Sequence, residues 1–258
     1  MIVIADVAGQ YDSLMRLLAK MPQERTVFLG DLIDRGPKSR EVVAFVREKG
    51  HECVAANHEH FMIDWVRQNR WYAPTDWVVN GGRATLESYG LFGPERFTPQ
   101  MVEDVEWMEK LPLYIETDRC FLSHAPWRSW SSLEDACRVI VRGRMGMQLP
   151  NDHSLLWCRD TPEDRLFKDA DGLSTPPFGK RKIQVSGHNS WWGIRPFYVD
   201  ENNDDDNSQL YLSANVAPIR IPEENLFAIC IDNSMMKRTT GLHVDDETGA
   251  LHIYQENY

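Results

Sequence analysis

The sequence contains few cysteines, and their spacing argues against both a disulfide framework and a thiolate metal site. The five cysteines are odd in number and scattered, and no two of them form a CxxC pair; they are Cys53, Cys120, Cys137, Cys158 and Cys230. Such a pattern is typical of buried or free thiols in a reducing compartment.

Long apolar runs and clusters of basic residues are also missing. No apolar run approaches the roughly 20 residues that a membrane-spanning helix needs, and the run Met1–Asp6 is too short and too weakly basic for a signal peptide. The net charge is −11 without any polybasic stretch. This argues against a nucleic-acid backbone as a partner, unless metal ions supply the positive charge. We therefore expect a cytoplasmic protein without membrane contact.

The N-terminal part of the chain carries the pattern of an α/β fold. With 258 residues, of which 42% are hydrophobic, the chain can bury a sizeable core. Apolar runs at Ile2–Ala5, Thr26–Leu29 and Glu52–Ala55 predict strands, and helical periodicity at Leu14–Met21 and Val42–Val46 predicts the helices between them. This alternation indicates βαβ units with a parallel sheet.

The remainder of the chain predicts a helical insertion followed by a second β-rich half. Residues 61–110 are helical in pattern and rich in tryptophan, which we interpret as packing against the sheet. No linker interrupts the chain, so we predict one domain over residues 1–258. The later predicted elements are strands Leu113–Glu116, Cys120–Ser123, Ile183–Ser186, Leu226–Ile231, Leu242–Asp245 and Ala250–Tyr254, a helix at Ser131–Val141, and loops at Asp160–Lys182 and Glu201–Asn207.

One polar stretch, Gly30–Pro37, directly follows the second predicted strand. Its residues Asp31, Asp34 and Arg35 lie between glycines. Taken alone, the stretch fits a surface turn with a local Asp–Arg pair. It fits equally a site in which Asp31 bridges two metal ions, Asp34 orients an imidazole and Arg35 holds a phosphate.

Polar residues also follow the other predicted strands, which favours the site. Asp6 ends the first strand, Asn57-His58-Glu59 follows the third, and His124 and His188 each come directly after a later strand. Ligands bind at the carboxyl ends of strands in open α/β sheets. Carboxylate, carboxamide and imidazole donors suit Mn²⁺, Fe²⁺ or Zn²⁺. Two such ions about 3.5–4 Å apart can clamp a phosphate and activate water.

Three of these segments carry a family resemblance. Asp6-Val7-Ala8-Gly9, Gly30-Asp31-Leu32-Ile33-Asp34-Arg35-Gly36 and Asn57-His58-Glu59 resemble, in order and spacing, the three-part signature of calcineurin-like metallophosphoesterases. The resemblance covers most of the chain and is greatest to the phosphoprotein phosphatase branch, in particular to small enzymes of the bacteriophage-lambda type. It implies an α/β fold of the metallophosphoesterase type, a β-sheet sandwich flanked by helices, with the tryptophan-rich helical insertion at about 61–110.

The resemblance also implies a role for each matching residue. Asp6 would bind the first of two divalent metal ions, Asp31 would bridge both, and Asn57, His124 and His188 would hold the second. We expect manganese, with iron, zinc, nickel or magnesium as alternatives. His58, oriented by Asp34, would act as general acid, and Arg35 and Arg159 would bind the phosphate, which suits the planar guanidinium group.

Two positions depart from the family pattern. Ala8 stands where the family has a histidine that binds the first metal, and Ala55-Ala56 precede Asn57 where a glycine is expected. Alanine has no donor atom, so we predict weak binding of the first metal and slow turnover. Because every other ligand position is intact, we favour a deliberate substitution at position 8 over a naturally impaired relative.

Three functions remain open at this point. The first is hydrolysis of phosphomonoesters, with phosphoserine or phosphothreonine in proteins as the expected substrate and small phosphoesters as alternatives. The second is hydrolysis of dinucleoside polyphosphates such as diadenosine tetraphosphate. Asp34 argues against it and the aromatic run Trp191-Trp192 with Phe197-Tyr198 leaves it open. The third is a non-catalytic module that binds phosphate or a partner protein, for which Ala8 is the only support.

Overall fold

The fold was analysed in a computed structural model of the 258-residue chain. It describes residues 1–69, 71–93, 96–127, 132–142, 148–159, 167–168, 174–175, 182–189, 195–198, 219–221, 226–232, 237–245 and 247–258. The predicted acidic loop at 201–207, the Trp191-Trp192 pair and most of the loop at 160–182 lie outside these residues.

The described elements alternate strand and helix at first and are mainly strands later. The strands are β1 (Ile2–Ile4), β2 (Thr26–Phe28), β3 (Glu52–Cys53), β4 (Tyr114–Glu116), β5 (Cys120–Ser123), β6 (Ile140–Arg142), β7 (Gln148–Pro150), β8 (Phe167–Lys168), β9 (Ser174–Thr175), β10 (Ile183–Ser186), β11 (Arg195–Tyr198), β12 (Ile219–Ile221), β13 (Leu226–Cys230), β14 (Arg238–Val244) and β15 (Leu251–Asn257). The helices are α1 (Tyr11–Lys20), α2 (Ser39–Glu48), α3 (Asn57–Arg67), α4 (Pro74–Trp77), α5 (Arg83–Ser88), α6 (Pro99–Met108) and α7 (Leu133–Ala136), with a π-helical turn at Val78–Gly82.

Two mixed sheets form the centre of the fold. The first has the strand order β12-β15-β14-β1-β2-β3, and the second has the order β11-β13-β10-β5-β4. In the first sheet β1, β2 and β3 run parallel to one another. In the second sheet β10 runs parallel to both β5 and β13. Each sheet therefore contains three parallel strands whose carboxyl ends lie at one edge.

The side chains of β1 alternate between two buried cores, one on each face of the strand. Ile2 and Ile4 pack with residues of the surrounding helices, including Leu14, Val43 and Met62. Val3 and Ala5, on the opposite face of the strand, belong to a core formed between the two sheets. Both faces of the strand are fully buried, as its continuous apolar sequence predicts. The result is the sandwich of two sheets, with helices covering the first, that the sequence predicts.

The predicted elements differ from the structure mainly in the second half of the chain. The helix predicted at 131–141 is limited to Leu133–Ala136, and β6 follows it as a strand paired with β7. The reason is local: Val139, Ile140 and Val141 are β-branched and favour a strand over a helix. Among the described residues, no helix is both long and apolar enough to cross a bilayer.

One half-buried histidine outside the site gives the fold a dependence on pH. Burial lowers the pKa of His60, on α3, to about 4. Its ring stacks on Trp71 with centroids 5.9 Å apart. Because an unfolded histidine titrates near 6.5, the neutral form contributes stability above that pH, and this is lost as the pH falls toward 4.

We therefore expect His60→Phe to reduce the loss of stability in acid. Between pH 7.5 and pH 5.0 the free energy of unfolding should fall by about 2 kcal/mol less in the variant, since phenylalanine does not titrate. Urea unfolding at both pH values, in the presence of a chelator, measures the difference. An equal loss in the two proteins would contradict this account of His60.

Candidate metal centre

Polar side chains converge where the parallel strands of both sheets end. Asp6 follows β1, Asp31 follows β2, and Asn57 begins α3 shortly after β3. From the second sheet, His124 follows β5 and His188 follows β10. All five side chains are at least 95% buried. Residues that are far apart in the sequence thus meet at one edge of the sandwich.

The backbone around this edge is held in an unfavourable conformation. Seven described residues other than glycine have a positive φ, and five of them lie here: Ala8 at 50°, Asp31 at 48°, Asp34 at 74°, Arg35 at 61° and His188 at 63°. Left-handed backbone costs roughly 1–2 kcal/mol for each such residue. Strained residues of this kind gather at functional sites, where the surrounding structure maintains them.

Donor atoms lie within a few ångströms of one another. His124 Nε2 is 2.8 Å from Asn57 Oδ1, 3.0 Å from His188 Nδ1 and 3.5 Å from Asp31 Oδ1. Asp6, Asp31 and His124 each offer a ligand atom within 4.8 Å of the others. The backbone amide of His188 donates to Asp6 Oδ1 at 3.1 Å. Gly187 allows this approach, because a β-carbon there would lie 2.2 Å from the same oxygen.

The donor set fits a divalent metal ion. His124 Nδ1 contacts the carbonyl of Leu29 at 2.9 Å and must carry the proton to donate to it, which leaves the Nε2 lone pair directed at Asn57 Oδ1. This backbone bond to the second ring nitrogen is typical of metal-binding histidines. In the described part of the chain, the buried Nε2 of His188 makes no hydrogen bond. Converging lone pairs and a buried polar atom without a partner are what a bound cation would resolve.

Burial and charge act differently on the two histidines and the two carboxylates. Burial lowers the pKa of His124, and burial together with the neighbouring His124 lowers that of His188. Both imidazoles are therefore neutral at pH 7, as metal ligands must be. Burial raises the pKa of Asp6, and repulsion from Asp232 and Asp31 raises it further. For Asp31 burial acts in the same direction, but His58, followed by His124 and His188 in their charged forms and by Arg35, outweighs it and lowers the pKa.

A second group of residues adjoins the donor set. His58 Nδ1 forms a short hydrogen bond with the fully buried carboxylate of Asp34. His58 Nε2 lies 3.2 Å from Arg35 Nη2 and 3.7 Å from Asp31 Oδ2. Burial alone would lower the pKa of His58, but Asp31 and Asp34 raise it above its ordinary value. This arrangement can hold a proton next to the carboxylate of Asp31.

Two positions of the predicted site, Ala8 and Arg159, differ from the others in what they contribute to binding a metal ion or an anion. Ala8 is buried, and its amide donates to the carbonyl of Asp31 at 2.8 Å, but its side chain has no donor atom. Arg159 is exposed, and its charge lowers the pKa of both His124 and His188. It therefore lies near the imidazoles.

The structure adds two carboxylates to which the sequence assigns no role. Glu59 is fully buried and accepts the amides of Asp31 and Leu32 at 3.0 and 2.9 Å, which fixes the loop that carries Asp31. Burial and repulsion from Asp31 raise the pKa of Glu59 to about 8. Asp232 is buried directly beyond β13. Asp232 follows the predicted strand Leu226–Ile231 in the same way that Asp6 follows the first strand, and this pattern could have identified it.

Comparison with known proteins identifies relatives with related activities. Residues 1–215 match the family model described as calcineurin-like phosphoesterase. The chain is 36% identical over 84 residues to serine/threonine-protein phosphatase 1 of Salmonella typhimurium, covering 31% of this chain and 38% of that protein. It is 28% identical over 180 residues to the symmetrical bis(5'-nucleosyl)-tetraphosphatase of Histophilus somni, covering 66% of this chain and 61% of that one.

A solved structure agrees in fold. A metallophosphoesterase from Sphaerobacter thermophilus superposes with a TM-score of 0.58 at 14% identity, covering 100% of this chain and 88% of that one. The aligned segments span only 38% to 61% of the length of the two curated relatives, so the family is better defined than the activity. The family uses divalent metal ions, and the edge of the sandwich holds donors that suit them. With a family model matching residues 1–215, the chain belongs to the calcineurin-like phosphoesterases.

Proposed function

We propose that the protein is a metal-dependent phosphomonoesterase that acts on phosphoserine or phosphothreonine in proteins. The observation that carries the proposal is the buried Asp34–His58 pair beside Asp31. A serine or threonine alkoxide is a poor leaving group, so its departure requires a positioned acid that protonates the oxygen. A phosphate leaving group needs such an acid less. The likeness to serine/threonine-protein phosphatase 1 supports the same assignment.

In this proposal the chain's own residues divide the work between binding and proton transfer. Asp6, Asp31, Asn57, His124 and His188 would hold two divalent ions, the first of them only weakly while position 8 is alanine, and manganese is the first ion to test. Such ions neutralise charge on a phosphoryl group and lower the pKa of water. The side chains fix the positions of these charges, since each is buried and tied to backbone or to a neighbour.

Arg35 and His58 act on different oxygens of the phosphoester. Arg35 Nη2 donates to His58 Nε2 at 3.2 Å. A phosphate competes for the same guanidinium group, because a charged bidentate pair is stronger than a bond to imidazole. His58 Nε2 is then free to carry a proton, which it gives to the leaving oxygen. Arg159, exposed near the two metal-binding histidines, is proposed as a second phosphate contact.

Hydrolysis of diadenosine tetraphosphate is the second candidate, and the likeness to a symmetrical tetraphosphatase supports it. We expect the Ala8→His form with Mn²⁺ to hydrolyse a phosphothreonine peptide faster than diadenosine tetraphosphate, by at least about tenfold in kcat/KM, since Asp34 and His58 provide acid catalysis. Phosphate release and nucleotide analysis measure the two rates on the same preparation. Preference for the dinucleotide would reverse the assignment.

The remaining proposals concern partners and compartment. Phosphorylated proteins or small phosphoesters are the proposed partners, and the five free cysteines are compatible with a reducing, cytoplasmic location. A non-catalytic module that only binds phosphate or a protein is the third possibility. It predicts that no tested metal and no substitution at position 8 produces hydrolysis.

A further inference from the structure

The carboxylate of Asp34 is held by the helical insertion as well as by His58. The Nε1–H group of Trp77, the last residue of α4, lies 2.9 Å from Asp34 Oδ2 and 3.1 Å from Oδ1. The hydroxyl of Thr85, on α5, donates to Oδ1 at 2.5 Å. His58 Nδ1 contacts Oδ2 from a third helix, α3. Three donors from three helices therefore occupy one fully buried carboxylate.

The indole of Trp77 is fixed in place by its packing. It is the largest of the fully buried side chains among the described residues. A β-carbon on Gly82 would lie 2.6 Å from three atoms of the ring, so glycine is needed for the backbone to approach it. The ring of Trp65 packs against it with centroids 5.5 Å apart. Since an indole N–H can only donate, burial obliges it to find an acceptor, and here that acceptor is Asp34.

The same insertion supports the strained backbone at Asp34 and Arg35. The amide of Asp34, whose φ is 74°, donates to Thr85 Oγ1 at 2.9 Å and to Ser39 Oγ at 3.0 Å. The amide of Arg35 donates to the carbonyl of Gly81 at 3.2 Å. The π-helical turn that contains Gly81 and Gly82 thus contacts the loop that carries Arg35 on one side and Trp77 on the other.

We propose that Trp77 and Thr85 are positioning residues that aim the Asp34–His58 pair, which makes the tryptophan-rich insertion a working part of the site. The inference rests on the proposed function, in which His58 protonates the leaving oxygen. Trp77 and Thr85 touch neither substrate nor metal and act through Asp34. With Asp34 free to rotate, His58 Nδ1 loses a fixed acceptor, and Nε2 loses its alignment with the leaving group.

The test compares Trp77→Phe with Trp71→Phe in the Ala8→His form with Mn²⁺. Phenylalanine keeps a ring and removes the N–H. Trp71 is a matched control because it lies in the same insertion and its N–H donates to Gln148 Oε1 at 3.1 Å. For a phosphoserine peptide, Trp77→Phe should lower kcat about 10–100-fold with little change in KM. For p-nitrophenyl phosphate the loss should be much smaller, since nitrophenolate departs without a proton.

Thr85 provides the conservative rescue. Thr85→Val should reproduce the selective loss on the phosphoserine peptide, and Thr85→Ser, which keeps the hydroxyl, should restore most of the rate. Equal losses on both substrates, or equal effects of Trp77→Phe and Trp71→Phe, would overturn the positioning role, because they indicate general disturbance of the fold.

A measurement without turnover separates this inference from the proposed function. The Nδ1–H proton of His58, bonded to Asp34, should give a far-downfield NMR resonance that Trp77→Phe shifts or broadens and Trp71→Phe does not. If the Ala8→His form hydrolyses neither substrate, the proposed function fails, and the resonance still decides whether Trp77 holds the pair. A resonance unchanged in Trp77→Phe would refute the inference by itself.

Discussion

Ala8→His is expected to raise the rate of phosphomonoester hydrolysis with added Mn²⁺ by at least about 100-fold. Even outer-shell partners of a metal typically change affinity or activity 10–100-fold, and a histidine at position 8 would supply a donor directly. Ala8 lies two residues beyond Asp6, is 2% exposed, and donates its amide to the carbonyl of Asp31. An imidazole at position 8 would add a nitrogen donor to the carboxylates of Asp6 and Asp31.

Metal content provides the second measurement of this prediction. We expect about one tightly bound equivalent of Mn²⁺ in the unsubstituted chain and two in Ala8→His, by calorimetry or elemental analysis. Ala8→Phe is the control, because it adds a ring of similar size without a nitrogen. Equal rates and equal metal content in the unsubstituted and Ala8→His proteins would refute the prediction that Ala8 weakens metal binding and slows turnover.

Much of this site could be predicted because polar residues that follow apolar runs identify the ends of strands in the sequence. Asp6, Asp31 and His188 each follow a buried apolar run, and parallel strands bring their carboxyl ends to one edge. The order of motifs then identified the family, which the family model confirms. The sandwich and the helical region followed from the same resemblance. The roles of the individual residues and the assignment of residues 1–258 to one domain stay predictions.

The contribution of the insertion could not be predicted from periodicity. Trp77 and Thr85 are 43 and 51 residues from Asp34. Nothing in a helical pattern distinguishes a tryptophan that only packs from one whose N–H also binds a carboxylate. Glu59 was similar: its place in the third motif was visible, but its bonds to the amides of Asp31 and Leu32 depend on tertiary structure. The short strand β6 is not predicted when residues 131–141 are interpreted as one helix, although the last residues of that segment are β-branched.

The second large effect is expected at His58. In the Ala8→His form, His58→Gln should lower kcat for a phosphoserine peptide by about 10²–10⁴-fold, the usual contribution of a general acid. Glutamine can still form a hydrogen bond, but it cannot deliver a proton. Steady-state kinetics over a pH series check the result, and the limb of the profile that reports the acid should disappear in the variant. His60→Gln, two residues along the same helix, is the control and should leave kcat unchanged.

The dependence on the leaving group decides what His58 does. If it protonates the leaving oxygen, the loss must be large for serine phosphate and small for p-nitrophenyl phosphate, since nitrophenol is far more acidic than an alcohol. If His58 instead only supports Asp31, whose carboxylate lies 3.7 Å from its Nε2, both substrates lose rate together and metal binding weakens as well. If the His58 variant keeps its metal content and loses rate selectively on the alkyl ester, His58 is the general acid. If it loses rate equally on both substrates and binds less metal, His58 has a structural role beside Asp31.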